Sequence, residues 1–166
     1  MRNDKQYLRW CLHQKRGIRL VAPSENLMKA YLQKSHNAIK SMEVNAQANI
    51  TEWTVSASYY AKYFAVYAVL SKIGVKSEIH DCTIALFGHL FNTKEFRQLV
   101  RELRQSKADR VDAQYYSTEL TVNVTDLMQQ TKQFVLHIEE LIDGMNAEKI
   151  ASLQQKTKEL APARKR

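Results

Sequence analysis

Between Trp53 and Ile73 the only charged residues are Lys62 and Lys72. Thr51 followed by Glu52 reads as a helix start just before this stretch, and Gly74 stands where a helix C-terminus ends. At helical spacing Trp53, Ala57, Tyr60, Phe64, Ala68 and Ser71 share one face, while Val66, Val69 and Leu70 cover others. A helix that is apolar nearly all round is packed on several sides. The rest of the chain therefore has to surround 51–73. Ala57, Ala61, Ala65 and Ala68 lie close together on it and would let a neighbour approach closely.

The flanking sequence supplies helices for that purpose. Asp4 can cap a short first helix carrying Tyr7, Leu8, Cys11 and Leu12, with Gly17 beyond its end. Residues 18–22 read as an apolar connector. Pro23-Ser24-Glu25 opens a helix that keeps Leu27, Tyr31, Ile39 and Met42 in register to about residue 43. Ser77 is expected to cap a helix over 78–92, and Thr93 another over 94–107. Residues 108–116, Ala-Asp-Arg-Val-Asp-Ala-Gln-Tyr-Tyr, read as a polar loop. Ser117 opens a long helix over about 118–143, ended by Gly144, and 146–160 forms a last amphipathic segment. No strand pattern competes, and four glycines and two prolines in 166 residues argue against a many-turned β protein. The expectation is one all-α domain over 1–166, an antiparallel helical bundle. Its core covers about 22–144. A basic N-terminal segment, 1–21, precedes it, and a C-terminal helix with a basic tail, 145–166, follows.

The net charge of +8 raises the question of nucleic acid, yet most of it sits at the ends. Arg2, Lys5, Arg9, Lys15, Arg16 and Arg19 face only Asp4 in the first twenty residues, and Lys156, Lys158, Arg164, Lys165 and Arg166 face only Glu159 at the other end. The middle is close to neutral. Within it, Lys94, Arg97, Arg101 and Arg104 follow a 3, 4, 3 spacing that confines them to about 80° of arc on one helix face. Phe96, Leu99, Val100 and Leu103 fall on the opposite face. This ridge leads on to Lys107 and Arg110. Cations so arranged can follow a phosphate backbone, or they can form a solvated face partnered by Glu95 and Glu102.

The chemistry of known enzyme motifs is missing. There is no Gly-rich phosphate loop and no nucleophile elbow. His13, His36, His80, His89 and His137 do not cluster with cysteine or carboxylates at zinc spacing, so no metal or cofactor is expected. Glu139-Glu140 reads as a solvated pair. The segment Asp109-Arg110-Val111-Asp112-Ala113-Gln114-Tyr115-Tyr116 concentrates a bidentate donor, two carboxylates, an amide and two phenols. Two cysteines, Cys11 and Cys82, sit among apolar neighbours and are expected as buried free thiols in a reducing cytoplasm. The charged N-terminal stretch has no leader pattern, and the longest uncharged run, Cys82 to Thr93, is 12 residues, too short to span a bilayer.

The run Trp53-Thr-Val-Ser-Ala-Ser-Tyr-Tyr-Ala-Lys-Tyr-Phe-Ala-Val-Tyr-Ala-Val-Leu, followed by Lys76-Ser77-Glu78-Ile79-His80 and Ile84-Ala85-Leu86-Phe87, resembles the HEPN family (higher eukaryotes and prokaryotes nucleotide-binding domain). A tyrosine-pair central helix, a K-S-x-x-H turn and a later R-x-x-A-D-Y segment mark one prokaryotic branch. Here the last is Arg110-Val111-Asp112-Ala113-Gln114-Tyr115, with Gln114 in place of Asp. Gly17-Ile18-Arg19-Leu20-Val21, Pro23 and Glu25-Asn26-Leu27 are similar to archaeal-type members. The resemblance spans about 15–142. It implies a helical bundle that usually dimerises and a frequent neighbour, a minimal nucleotidyltransferase. Many members are RNases acting as toxins or defence effectors, through an Arg-x(4–6)-His motif contributed by both copies. No arginine of this chain has a histidine at that spacing.

Three functions follow as expectations. The first is a dimeric module that binds RNA or a nucleotide and works with a nucleotidyltransferase in a toxin–antitoxin or defence-type system. Lys94, Arg97, Arg101, Arg104 and Lys107 would contact the nucleic acid beside Arg110 and Tyr115. The second is a metal-independent RNase in which Arg110 clamps phosphate and Asp109, Asp112 or His80 moves the proton. The third is a non-catalytic, antitoxin-like protein modified with nucleotides on Tyr115 or Tyr116.

Overall fold

The computed structural model describes residues 4–115 and 122–160. Among the described residues there are seven helices and one two-stranded ribbon. They are α1 (Asp4–His13), β1 (Arg19–Leu20), α2 (Glu25–Gln47), α3 (Thr51–Ile73), β2 (Val75–Lys76), α4 (His80–Leu90), α5 (Lys94–Tyr115), α6 (Val124–Asp143) and α7 (Ala147–Lys158). The fold is all-α, as the sequence implies.

Helix α3 is the centre of the molecule, packed by α2, α5, α6 and α7. Its aliphatic side chains Val66, Val69, Leu70 and Ile73 are fully buried. Small polar groups on it each reach a different neighbour. The Ala61 carbonyl accepts from Ser35 Oγ of α2 at 2.7 Å, Ser58 Oγ meets Thr131 Oγ1 of α6 at 2.7 Å, and Lys62 Nζ donates to Ser106 Oγ of α5 at 2.8 Å. Satisfied polar ties of this kind fix the register of helices that apolar contact alone would leave free to slide.

Two of the expected helix starts are capped as read. Ser24 Oγ accepts from the Leu27 amide at 3.2 Å, and Thr93 Oγ1 accepts from the Phe96 amide. Gly74 closes α3 with φ +87°, and a Cβ there would lie 2.6 Å from the Val21 carbonyl oxygen. Only glycine combines that backbone with that approach. The other left-handed residue among those described, Asn49 at φ 57°, turns α2 into α3.

Several boundaries differ from expectation. Asp4 lies within α1 as its first residue. Helix α4 begins at His80, with Ile79 in the cap position, because Ser77 is engaged elsewhere: its amide donates to Tyr67 Oη and its hydroxyl to the Ile79 carbonyl. Helix α6 begins at Val124, where Asn123 supplies the capping oxygen to Asp126. Ser117 lies outside the described residues, as does the tail 161–166. Residues 19–20, expected as connector, pair antiparallel with 75–76. Glu78 beside this ribbon binds Arg16, Arg19 and Lys76.

The cysteines require a correction. Cys11 and Cys82 are not free thiols but a disulfide that joins α1 to α4. Their apolar surroundings are as expected, and both are fully buried. The fold, however, brings their Cα atoms to 5.7 Å, inside bonding range. The argument for a reducing compartment that rested on free thiols falls with it. No helix among the described residues is long and apolar enough to cross a membrane.

Candidate functional site

Residues 108–115 are not a loop. They continue α5 to Tyr115. The stretch contains neither glycine nor proline, and Ala, Arg and Gln are good helix formers. Gln105 Nε2 donates to Asp109 Oδ1 one turn on, at 2.8 Å. Inward, Ser106 holds Lys62 and the Arg110 guanidinium lies over the rings of Tyr59 and Tyr60, at 5.9 and 5.4 Å from their centroids. A segment that is polar on the page stays helical because one face covers α3.

This extension carries Arg110 to the N-terminus of α4, where His80 sits. His80 Nδ1 and Tyr59 Oη are 2.6 Å apart, and the imidazole stacks on Tyr63 with centroids 4.0 Å apart. Burial holds the His80 pKa below its ordinary value, and the charges of Lys107 and Arg110 push it the same way against Asp81. The ring is therefore neutral at physiological pH. Burial also raises the Tyr59 phenol above its usual range, so it remains protonated. The hydrogen bond runs in either direction. With Nδ1–H donating to Tyr59, Nε2 keeps a lone pair that can accept a proton.

Arg110 makes no ion pair among the described residues, and its buried Nε has no hydrogen-bond partner. Lys107 is bound differently, 2.6 Å from Asp81 at the start of α4. The ridge ahead of it is exposed and faces away from buried Leu99, Val100 and Leu103. Lys94, Arg97, Arg101 and Arg104 form no ion pair among the described residues. The expected acidic partners do not engage them: Glu102 accepts from Gln98, whose own oxygen accepts from Arg101, and Arg97 donates to Asn92.

Residues 28–147 match the family model of the HEPN domain. The chain belongs to the HEPN family. Comparison with curated proteins and with solved structures gives no match.

In this HEPN domain the fold brings together Arg110, Lys107 and His80 from the residues singled out in the sequence. It leaves the others apart. Asp109 is tied to Gln105, and its charge acts on Lys62. Asp112 and Tyr115 are exposed, the latter by 72%, without a hydrogen bond or ion pair among the described residues. Tyr116 lies outside the described residues. Glu139, expected as solvated, accepts from or pairs with His36 Nε2 at 2.7 Å and links α6 to α2. Sequence reasoning missed Tyr59 and Tyr63 as partners of His80, although Tyr59 belongs to the tyrosine pair of the family signature. No cluster of three or more metal-ligating side chains exists among the described residues.

Proposed function

We propose that this HEPN protein binds RNA or a nucleotide through the outer face of α5, as a homodimer partnered by a minimal nucleotidyltransferase in a toxin–antitoxin or defence-type system. The observation that carries the binding is the exposed row Lys94, Arg97, Arg101 and Arg104, which makes no ion pair among the described residues; Arg110, further along α5, is turned inward over two phenol rings. Reversing the charge at Arg101 and Arg104 should weaken RNA binding and flatten its dependence on salt. Unchanged binding across the salt series would remove the ridge from this function.

A second reading, a metal-independent RNase, is favoured by one geometric fact. The sequence lacks a histidine at the Arg-x(4–6)-His spacing, but His80 and Arg110 share Tyr59 as a neighbour, its hydroxyl 2.6 Å from Nδ1 of a neutral His80 and its ring centroid 5.9 Å from the Arg110 guanidinium. Arg110 would hold the scissile phosphate and His80 would take the 2′-hydroxyl proton. Labelled RNA incubated in EDTA decides it: cleavage lost in both Arg110→Ala and His80→Ala supports catalysis, and intact RNA with the unaltered chain leaves binding alone. The exposure of Tyr115 suits the third function, nucleotide addition by the partner, which intact mass after co-expression would register.

A further inference from the structure

We infer that a cleft between α1, α4 and α5 is the subsite for one nucleotide unit, with arginines of α5 on its phosphate and Tyr7 of α1, backed by Trp10, under its base. The inference rests on the binding role proposed for α5 and names the part of the ligand that the role leaves open.

The cleft has a volume of about 410 Å³, within the roughly 300–1,000 Å³ of small-molecule sites. Arg97, Arg101 and Arg104 line one wall, Tyr7 the other, and His89 and Asn92 lie between them. Among the described residues no carboxylate lines it. Asn92 and Gln98 accept hydrogen bonds from Arg97 and Arg101, and such neutral amides orient a guanidinium without cancelling its charge. From Arg97 to Arg104 the helix rises about 10 Å, room for a nucleotide and its phosphate.

The opposite wall decides the class of ligand. Tyr7 lines it, and behind Tyr7, outside the lining, stands Trp10 at i+3 of α1, stacked on it with centroids 5.6 Å apart and planes 20° apart and 43% exposed. Burial keeps the Tyr7 phenol protonated although Arg104 pulls the other way, which also puts Arg104 close to it. Flat rings beside unpaired cations match a nucleobase and its phosphate. A carboxylate ligand would use the arginines but leave the rings idle. The wall is rigid, because Cys11, one turn beyond Tyr7, is bonded to Cys82. It also lies outside residues 28–147, so this subsite joins the family domain to an N-terminal helix that the domain does not include. Asp81, whose charge reaches both Tyr7 and His80, sits between the cleft and the Arg110 cluster.

The test uses the full chain carrying Trp53→Phe, so that fluorescence reports Trp10 alone. The probes are adenosine 5′-monophosphate, inorganic phosphate and a single-stranded adenylate hexamer. The nucleotide should quench Trp10 and bind more tightly than phosphate. Tyr7→Ala should weaken nucleotide binding about tenfold and leave phosphate binding unchanged. Trp10→Ala, at an exposed site that folding does not need, should weaken it in the same sense when binding is followed by calorimetry. Arg101→Gln with Arg104→Gln should weaken both probes. A hexamer that binds much more tightly than the monomer assigns the cleft to an RNA strand, and equal affinity assigns it to a free nucleotide. Nucleotide binding no tighter than phosphate, or unaltered by Tyr7→Ala and Trp10→Ala, overturns the subsite. If hexamer binding is then still lost in Arg110→Ala, the broader binding function stands without it; if no probe binds at all, both fall.

Discussion

The hydroxyl of Tyr59 and Nδ1 of His80 lie 2.6 Å apart, joining the central helix to the N-terminus of α4 at the point where Arg110 arrives from α5. The groups acting on this imidazole are Lys107 and Arg110, which oppose its protonation, and Asp81, which favours it. Because its folded pKa lies below the unfolded value, the neutral ring stabilises the fold above the ordinary histidine pKa of about 6.5, and that stability is lost as pH falls through the lowered value. Stability should therefore decline from pH 7 towards pH 5, and less steeply in His80→Gln. Parallel declines in chemical denaturation across that range would mean His80 does not carry the effect.

Lys62 is 3% exposed in the middle of α3, with Ser106 Oγ as its acceptor and the Phe134 ring 5.9 Å from its ammonium. Burial lowers its pKa, partly offset by Glu102 and Asp109. The folded state thus disfavours the charge, a cost present at neutral pH that fades as pH rises through the lowered pKa. Lys62→Met keeps the volume without the charge and should raise the melting temperature. Lys62→Ala leaves a cavity and should cost about 2–4 kcal/mol. A Met variant as unstable as the Ala variant would show that the ammonium itself holds α3 to α5.

The disulfide closes a loop across a sequence separation of 71 residues, worth about 4 kcal/mol in the chain-entropy account. Denatured, unreduced protein should show no reactive thiol, and Cys82→Ser should lower the denaturation midpoint accordingly. Two titratable thiols before reduction would restore the free-cysteine expectation.

The proposed dimer has a candidate face. Trp53 is 55% exposed at the start of α3, and Tyr60 and Phe64, further along the same side, line an open apolar groove with Ala38 and Ala57. A second copy seated there would lie beside Arg110, which covers Tyr60. Sedimentation equilibrium should find a dimer that Trp53→Glu and Phe64→Glu convert to folded monomer. A dimer surviving both substitutions must use another surface.

Much of the helical frame was legible because its signals are local. The bounds of α3 follow from Thr51 and Gly74, and the ridge of α5 from a 3, 4, 3 spacing. The end of α5 was not legible, because what keeps 108–115 helical is contact with Tyr59, Tyr60 and Lys62 on another helix. The disulfide was missed for a related reason: two cysteines in apolar company look the same whether the fold brings them together or not. The site combined both cases. Arg110 and His80 could each be named from sequence, but Tyr59, which joins them, could be assigned only once α3, α4 and α5 were in place.

The bond between Cys11 and Cys82 makes the chain between them a closed ring containing all of α2 and α3. A protease that cuts the turn at Asn49 leaves one covalent molecule, while a cut beyond Cys82 releases a separate piece. Tyr59, Tyr63 and His80 belong to the ring, whereas Arg97, Arg101, Arg104 and Arg110 hang from its open end. The imidazole cluster therefore lies inside a covalently closed ring and the arginines of α5 outside it, tied to the ring by the chain that leaves Cys82 and by polar contacts such as Lys62–Ser106 and Lys107–Asp81.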